Sequence, residues 1–147
     1  MKKLAIVFLL SVFMLPARGS DSVSGFPRVI LPGDFADPTI VRDGADYYMT
    51  HSAFSYAPGF LVWHSRDLLS WEPVCRVPGS GYAPDLIKYD GKFYIYYPAH
   101  GTNYVTWATD IKGPWSKPID LKVGGIDPGH VVDSLGNRYL HLSGGTM

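Results

Sequence analysis

The chain has 147 residues, thirteen basic and thirteen acidic side chains that cancel to a formal net charge of zero, and 46% hydrophobic residues, with aromatics at 14%. No Lys/Arg run or basic patch stands out, which argues against nucleic acid or an anionic membrane surface as a partner. Cys75 is the single cysteine, so an intramolecular disulfide is excluded, and a buried, inert thiol is its expected state.

Lys2-Lys3, an apolar run from Leu4 to Leu15 broken only by Ser11, and the small residues around Ala17-Arg18-Gly19 are the three parts of a secretory signal. The run is shorter than the ~20 apolar residues of a spanning helix. Residues 1–19 therefore read as a signal peptide and the mature chain, beginning near Ser20, as secreted or periplasmic, with no membrane partner after cleavage. Losing Lys2, Lys3 and Arg18 leaves that mature chain mildly acidic. Ser20 to Pro32 reads as an extended polar entry segment.

One phrase then recurs three times. Phe35 to Tyr48 reads as an acidic residue ahead of a short apolar strand, an Asp-Gly turn and an aromatic strand running back. Ala83 to Tyr94 and Ile126 to Leu140 repeat it. The turn residues Asp43, Asp90 and Asp133 stand 47 and 43 residues apart, room for four short strands in each interval, which is the period of a β-propeller blade. Strands are expected at Thr39 to Arg42, Tyr47 to His51, Phe60 to Ser65 and Trp71 to Val74. A second set falls at Leu86 to Tyr89, Phe93 to Tyr97, Tyr104 to Thr109 and Lys117 to Ile119. A third set holds Val131-Val132 and Tyr139 to Leu142. Past the leader no stretch carries a long 3.6-residue apolar period, so the class is all-β without helix. Most of the ten tyrosines and four tryptophans are expected to pack between blades.

Two carboxylates share a phase in this repeat. Asp37 lies six residues before Asp43 and Asp127 six before Asp133, and each Asp-Pro pair predicts an extended backbone at a strand entrance. Asp85 is one residue out of step and is expected to cap its own turn or pair with an Arg. Asp43, Asp90 and Asp133 read as turn residues and Asp67 as structural.

Six phrases in order carry a resemblance: Ala36-Asp37-Pro38, Ser52 to Gly59, His64 to Trp71, Ala83-Pro84, Gly113 to Ser116 and Gly125 to Pro128. From about Phe35 onward the chain resembles glycoside hydrolase family 43, most of all its β-xylosidase and α-L-arabinofuranosidase branches. The resemblance implies a five-bladed β-propeller of which only about the first two and a half blades are present: blade one over about 35–79, blade two over about 80–124, and an incomplete blade three over about 125–147. It also implies inverting hydrolysis of xylan or arabinoxylan oligosaccharides. Asp37 matches the family's general base. Asp127 matches the Asp that orients the general acid and raises its pKa. Inversion needs two carboxyl groups roughly 6.5–9.5 Å apart, with a water between base and sugar. The family's acid is a Glu on a later blade. Here the only Glu is Glu72, in an outer strand, so these 147 residues alone are expected to be inactive.

Phe54 and Tyr82 are the expected sugar-binding rings; at the place of Tyr82 the xylosidase-like members usually show Trp. Of the five His, His130 lies near a candidate residue, yet no cluster has ligand spacing, and no metal or other cofactor is expected from these residues. The family's structural channel cation would take its ligands mostly from other blades. Two alternatives remain. A fructan-processing propeller usually carries Asn-Asp-Pro-Asn where this chain has Ala36-Asp37-Pro38-Thr39. A non-catalytic carbohydrate-binding propeller is kept open by the absent Glu.

Overall fold

The computed structural model describes residues 29–56, 59–143 and 145–146; the expected signal peptide and most of the entry segment lie outside them. All regular structure among the described residues is β, with no helix. Three antiparallel meanders follow one another. The first is β1 (Thr39–Asp43), β2 (Asp46–Thr50), β3 (Phe60–Ser65) and β4 (Glu72–Val77), each beside the next. The second is β5 (Asp85–Tyr89), β6 (Lys92–Ala99), β7 (Thr102–Ala108) and β8 (Ile119–Asp120). In the third, β10 (Arg138–Leu142) sits between β9 (Gly129–Val132) and β11 (Gly145–Thr146). No closed ring of sheets forms among the described residues.

Local chemistry accounts for most of these boundaries. Asp90-Gly91 takes φ of 46° and 71°, the mirror-image turn that joins two twisted strands with two residues. Its counterpart is Gly44-Ala45, where Gly44 supplies φ 62° and Asp43 stays in the strand opposite Asp46. Asp43 is therefore no turn residue; it ion-pairs with Lys88 of β5 at 2.5 Å. The fourth strand runs to Val77, three residues past its expected end. A register shift between Val62 and Trp63 lets β3 pass Pro73, which cannot donate to a ladder and sits on the outer edge.

Period-two alternation makes β6 the spine of the molecule. Phe93, Ile95 and Tyr97 point towards the first sheet and join Phe60, Val62, Val77 and Leu86 in a core that excludes water. Tyr96, from the other face, meets Val105, Leu140 and Leu142 of a smaller second core, with Tyr94 packed against it. Cys75 is half-buried in the first junction rather than fully enclosed, and its Sγ donates to the Ile111 carbonyl at 3.1 Å. Burial pushes that thiol's pKa up, consistent with an unreactive group.

The first strands of successive sheets lie side by side, β1 against β5 and β5 against β9. Thr39 Oγ1 accepts the Leu86 amide, and Asp85 Oδ2 accepts the His130 amide at 2.6 Å. Those ties bring three strand entrances to one end of the molecule.

Candidate active site at the strand entrances

Each entrance is a residue, a proline and the first residue of a strand: Asp37-Pro38-Thr39, Ala83-Pro84-Asp85 and Asp127-Pro128-Gly129. The residue before proline has φ of 54°, 36° and 55° respectively. This corrects the extended backbone that Asp-Pro suggests. The left-handed region is costly for L-residues, and Asp is one of the few that tolerate it. Backbone clamps hold the bend. Ser52 N–H donates to Ala36 O at 2.9 Å in the first sheet, and Ser143 N–H donates to Ile126 O at 2.8 Å in the third. The matching residue of the second sheet is Pro98, which has no N–H. There the Tyr82 amide donates to Pro98 O instead, at 3.3 Å.

The bends converge on one cleft of about 550 Å³, whose lining includes Asp37, Tyr82, Ala83, His100, Ile126 and Asp127. The two in-phase carboxylates thus share a cavity, and Ala83 marks the place in the second sheet where a third would stand. Both aspartates are exposed, but their surroundings differ. Asp37 Oδ2 accepts from the Ser52 hydroxyl at 2.5 Å, and the same Ser52 Oγ accepts the Ala83 amide at 2.7 Å. Tyr82 is half exposed beside the carboxylates, at 52%. Phe54 is not among the residues lining this cleft. It lines the adjoining depression with His51 and Tyr56, and meets Tyr82 edge-on at 5.9 Å.

Other acidic residues have structural work. Asp85 neither caps its own turn nor meets an Arg; it links β5 to β9 through the His130 amide, and burial raises its pKa. Glu72 opens β4 beside His64 Nδ1 at 3.2 Å, among the outer strands of the first sheet and away from the cleft lining. Asp67 takes the amides of Ser70 and Leu69, which lower its pKa to about 2. Asp133 likewise accepts from Leu135 and Asn137 in the last turn. His130 is stacked on Tyr96, and Arg138 donates to its Nε2 at 2.9 Å, which spends this histidine on the junction. Sequence reasoning assigned no role to Ser52, Ser143 or His100. The serines' only signal was spacing, since each lies 15 or 16 residues after its aspartate.

Two exposed carboxylates and an aromatic ring thus line one open cleft of an all-β chain, and a pair of carboxyl groups is what glycoside hydrolysis requires. Comparison with known proteins makes this specific. The family model described as "Glycosyl hydrolases family 43" matches residues 26–146, and the chain belongs to that family. It is 38% identical to a putative beta-xylosidase of Escherichia coli, over 75% of this chain and 25% of that protein. To a non-reducing end alpha-L-arabinofuranosidase of Bacteroides ovatus it is 32% identical, over 87% of this chain and 28% of that one. Among solved structures, the GH43 BlXynB protein from Bacillus licheniformis superposes with a TM-score of 0.71 at 31% identity, covering 78% of this chain and 28% of its own. The chain spans about a quarter of the length of the curated relatives it matches.

Proposed function

We propose that this chain is the base-bearing part of an inverting glycoside hydrolase that removes xylose or arabinose units from xylan-type oligosaccharides. The observation that carries the reading is the placement of Asp37 and Asp127 at equivalent bends around one cleft. The similarity to proteins named beta-xylosidase and alpha-L-arabinofuranosidase supports the substrate class. In this reading Asp37 deprotonates the attacking water, Asp127 orients the general acid and favours its protonated form by adding negative charge nearby, and Tyr82 backed by Phe54 packs on a sugar face. Two carboxyl groups and a water suffice for the reaction, so no cofactor is invoked.

The three sheets correspond to the first two and a half blades of a five-bladed propeller in this reading, with the first 19 residues directing export. The general acid lies outside these 147 residues, because Glu72 is committed to His64 on the outer strands. That same commitment favours a second reading, a carbohydrate-binding module without turnover.

An activated substrate separates the two. The leaving group of 2,4-dinitrophenyl β-D-xyloside needs no protonation, so a chain lacking the acid still hydrolyses it through the base. Slow turnover that yields inverted α-xylose and vanishes in Asp37→Ala supports the hydrolase. Saturable xylobiose binding without any such turnover supports the binding module.

A further inference from the structure

Ser52 stands out among the buried polar side chains. It is 1% exposed, sits just past the end of β2, and its hydroxyl makes two contacts at once. Oγ accepts the Ala83 amide at 2.7 Å and donates to Asp37 Oδ2 at 2.5 Å. A hydroxyl has one proton, and an amide can only donate. With the Ala83 N–H seated on a lone pair, the single Ser52 proton is directed at the carboxylate. We infer that Ser52 is a positioning residue for Asp37: it anchors Oδ2, so that Oδ1 is the oxygen left to face the cleft. The inference rests on the reading of Asp37 as the base.

The repeat supplies an internal control. The loops need no carboxylate contact to be held together, because the matching residues do without one. Ser143 uses its Oγ to accept the Ile126 amide at 3.3 Å and leaves the Asp127 carboxylate alone. At the second entrance Pro98 has no hydroxyl and Ala83 no carboxylate, and the bend is held by the Tyr82 amide on Pro98 O and the Ala83 amide on Ser52 Oγ. Each strand entrance thus has a backbone clamp, reversed in direction in the second sheet, and at the second and third a serine hydroxyl accepts an amide of the bend. The hydroxyl-to-carboxylate bond is peculiar to the first. The Ala83 amide that shares this hydroxyl comes from the second sheet, whereas Ser52 and Asp37 both flank the first. The docked second sheet thereby occupies one lone pair of the hydroxyl and directs its proton at a carboxylate of the first.

The chemical consequence is geometric. A general base must present one lone pair to a water within hydrogen-bond reach. A carboxylate free to rotate spends part of its time with neither oxygen aimed. Small misplacements of a reacting group of this kind cost about 10²-fold in rate.

Two measurements on the whole chain test this. The first is proton NMR of the Ser52 hydroxyl, which is expected to exchange slowly with water and to show a cross-relaxation peak to the Ala83 amide. Its protection is expected to disappear in Asp37→Ala. The second is turnover of 2,4-dinitrophenyl β-D-xyloside. Ser52→Ala is expected to lower kcat about 10²-fold with KM little changed, and Ser52→Thr, which keeps the hydroxyl, to recover most of the rate. A protected hydroxyl in a chain without turnover keeps the positioning and removes the hydrolase reading. A hydroxyl that exchanges freely in the wild type overturns the inference, as does a Ser52→Ala chain that loses thermal stability but keeps its kcat. A Ser52→Thr chain that folds yet is as slow as Ser52→Ala overturns it too.

Discussion

Asp37 and Asp127 stand two residues ahead of β1 and β9, at φ 54° and 55°, and yet only the first has its carboxylate tied to a neighbour. Among the described residues no hydrogen bond reaches the Asp127 carboxylate; its serine, Ser143, is spent on the backbone. The repeat therefore decides where a side chain stands, and the residues that break the repeat decide what it can do. An anchored carboxylate suits a base that must aim at a water. An unanchored one suits a group that acts on a partner through its charge.

Several substitutions would break or sharpen that contrast. The largest effect is expected from Asp37→Ala, which should lower hydrolysis of the activated xyloside by about 10²–10⁴-fold, the usual worth of a positioned base. Asp127→Ala is expected to cost less on this substrate, because its leaving group needs no acid. On an alkyl xyloside, with the general acid supplied by a protein that carries the whole family domain, the Asp127 deficit should grow. Equal losses on both substrates would erase the distinction between the two aspartates.

A smaller effect concerns the shape of the third entrance. Gly125 has φ 96°, and a Cβ there would lie 3.1 Å from Leu142 Cβ and 3.3 Å from Ser143 O. Gly125→Ala is expected to destabilise the chain by more than about 1 kcal/mol, read as a lower urea midpoint. It should also weaken xylobiose binding while the Ser52 hydroxyl stays protected.

The smallest effects are pH-dependent and carry opposite signs in the two regions. His64, in the first sheet, has its pKa raised above 6.5, chiefly by Nε2 bonding to Asp46 at 2.8 Å. Its contribution is complete below pH 6.5 and is lost as pH rises through the folded value. His130, between the second and third sheets, has its pKa lowered by burial and then by Arg138. The folded chain resists that proton, so stability falls as pH drops through 6.5 towards the folded value. Urea midpoints should therefore show His64→Gln most damaging near pH 5.5, whereas His130→Gln should flatten the acid-side loss. The same pH trend in both variants would contradict these assignments.

Much of this was legible in the sequence because it follows from short-range rules. Strand alternation around Phe93, Ile95 and Tyr97, the Asp90-Gly91 turn, and the matching phase of Asp37 and Asp127 all show in spacing alone. What escaped depends on contacts between distant segments. The left-handed bends at Asp37 and Asp127 oppose the local preference of a residue before proline and are held by amides from Ser52 and Ser143. Asp85 was misread as a turn cap because its partner, the His130 amide, lies 45 residues away. The extra residues of β4 follow from a register shift that no composition signals. Ser52 is the instructive case. It lies within a phrase that pointed to the family, but its bond to Asp37 spans 15 residues and the amide that directs its proton, that of Ala83, comes from the second sheet.

The most direct test of the account is a crystal structure of the chain soaked with xylobiose. The account predicts one xylose ring in the cleft between Asp37 and Asp127, with Tyr82 beside it and Oδ2 of Asp37 still bonded to Ser52. A sugar bound elsewhere, or the two carboxylates opening into separate cavities, would contradict it.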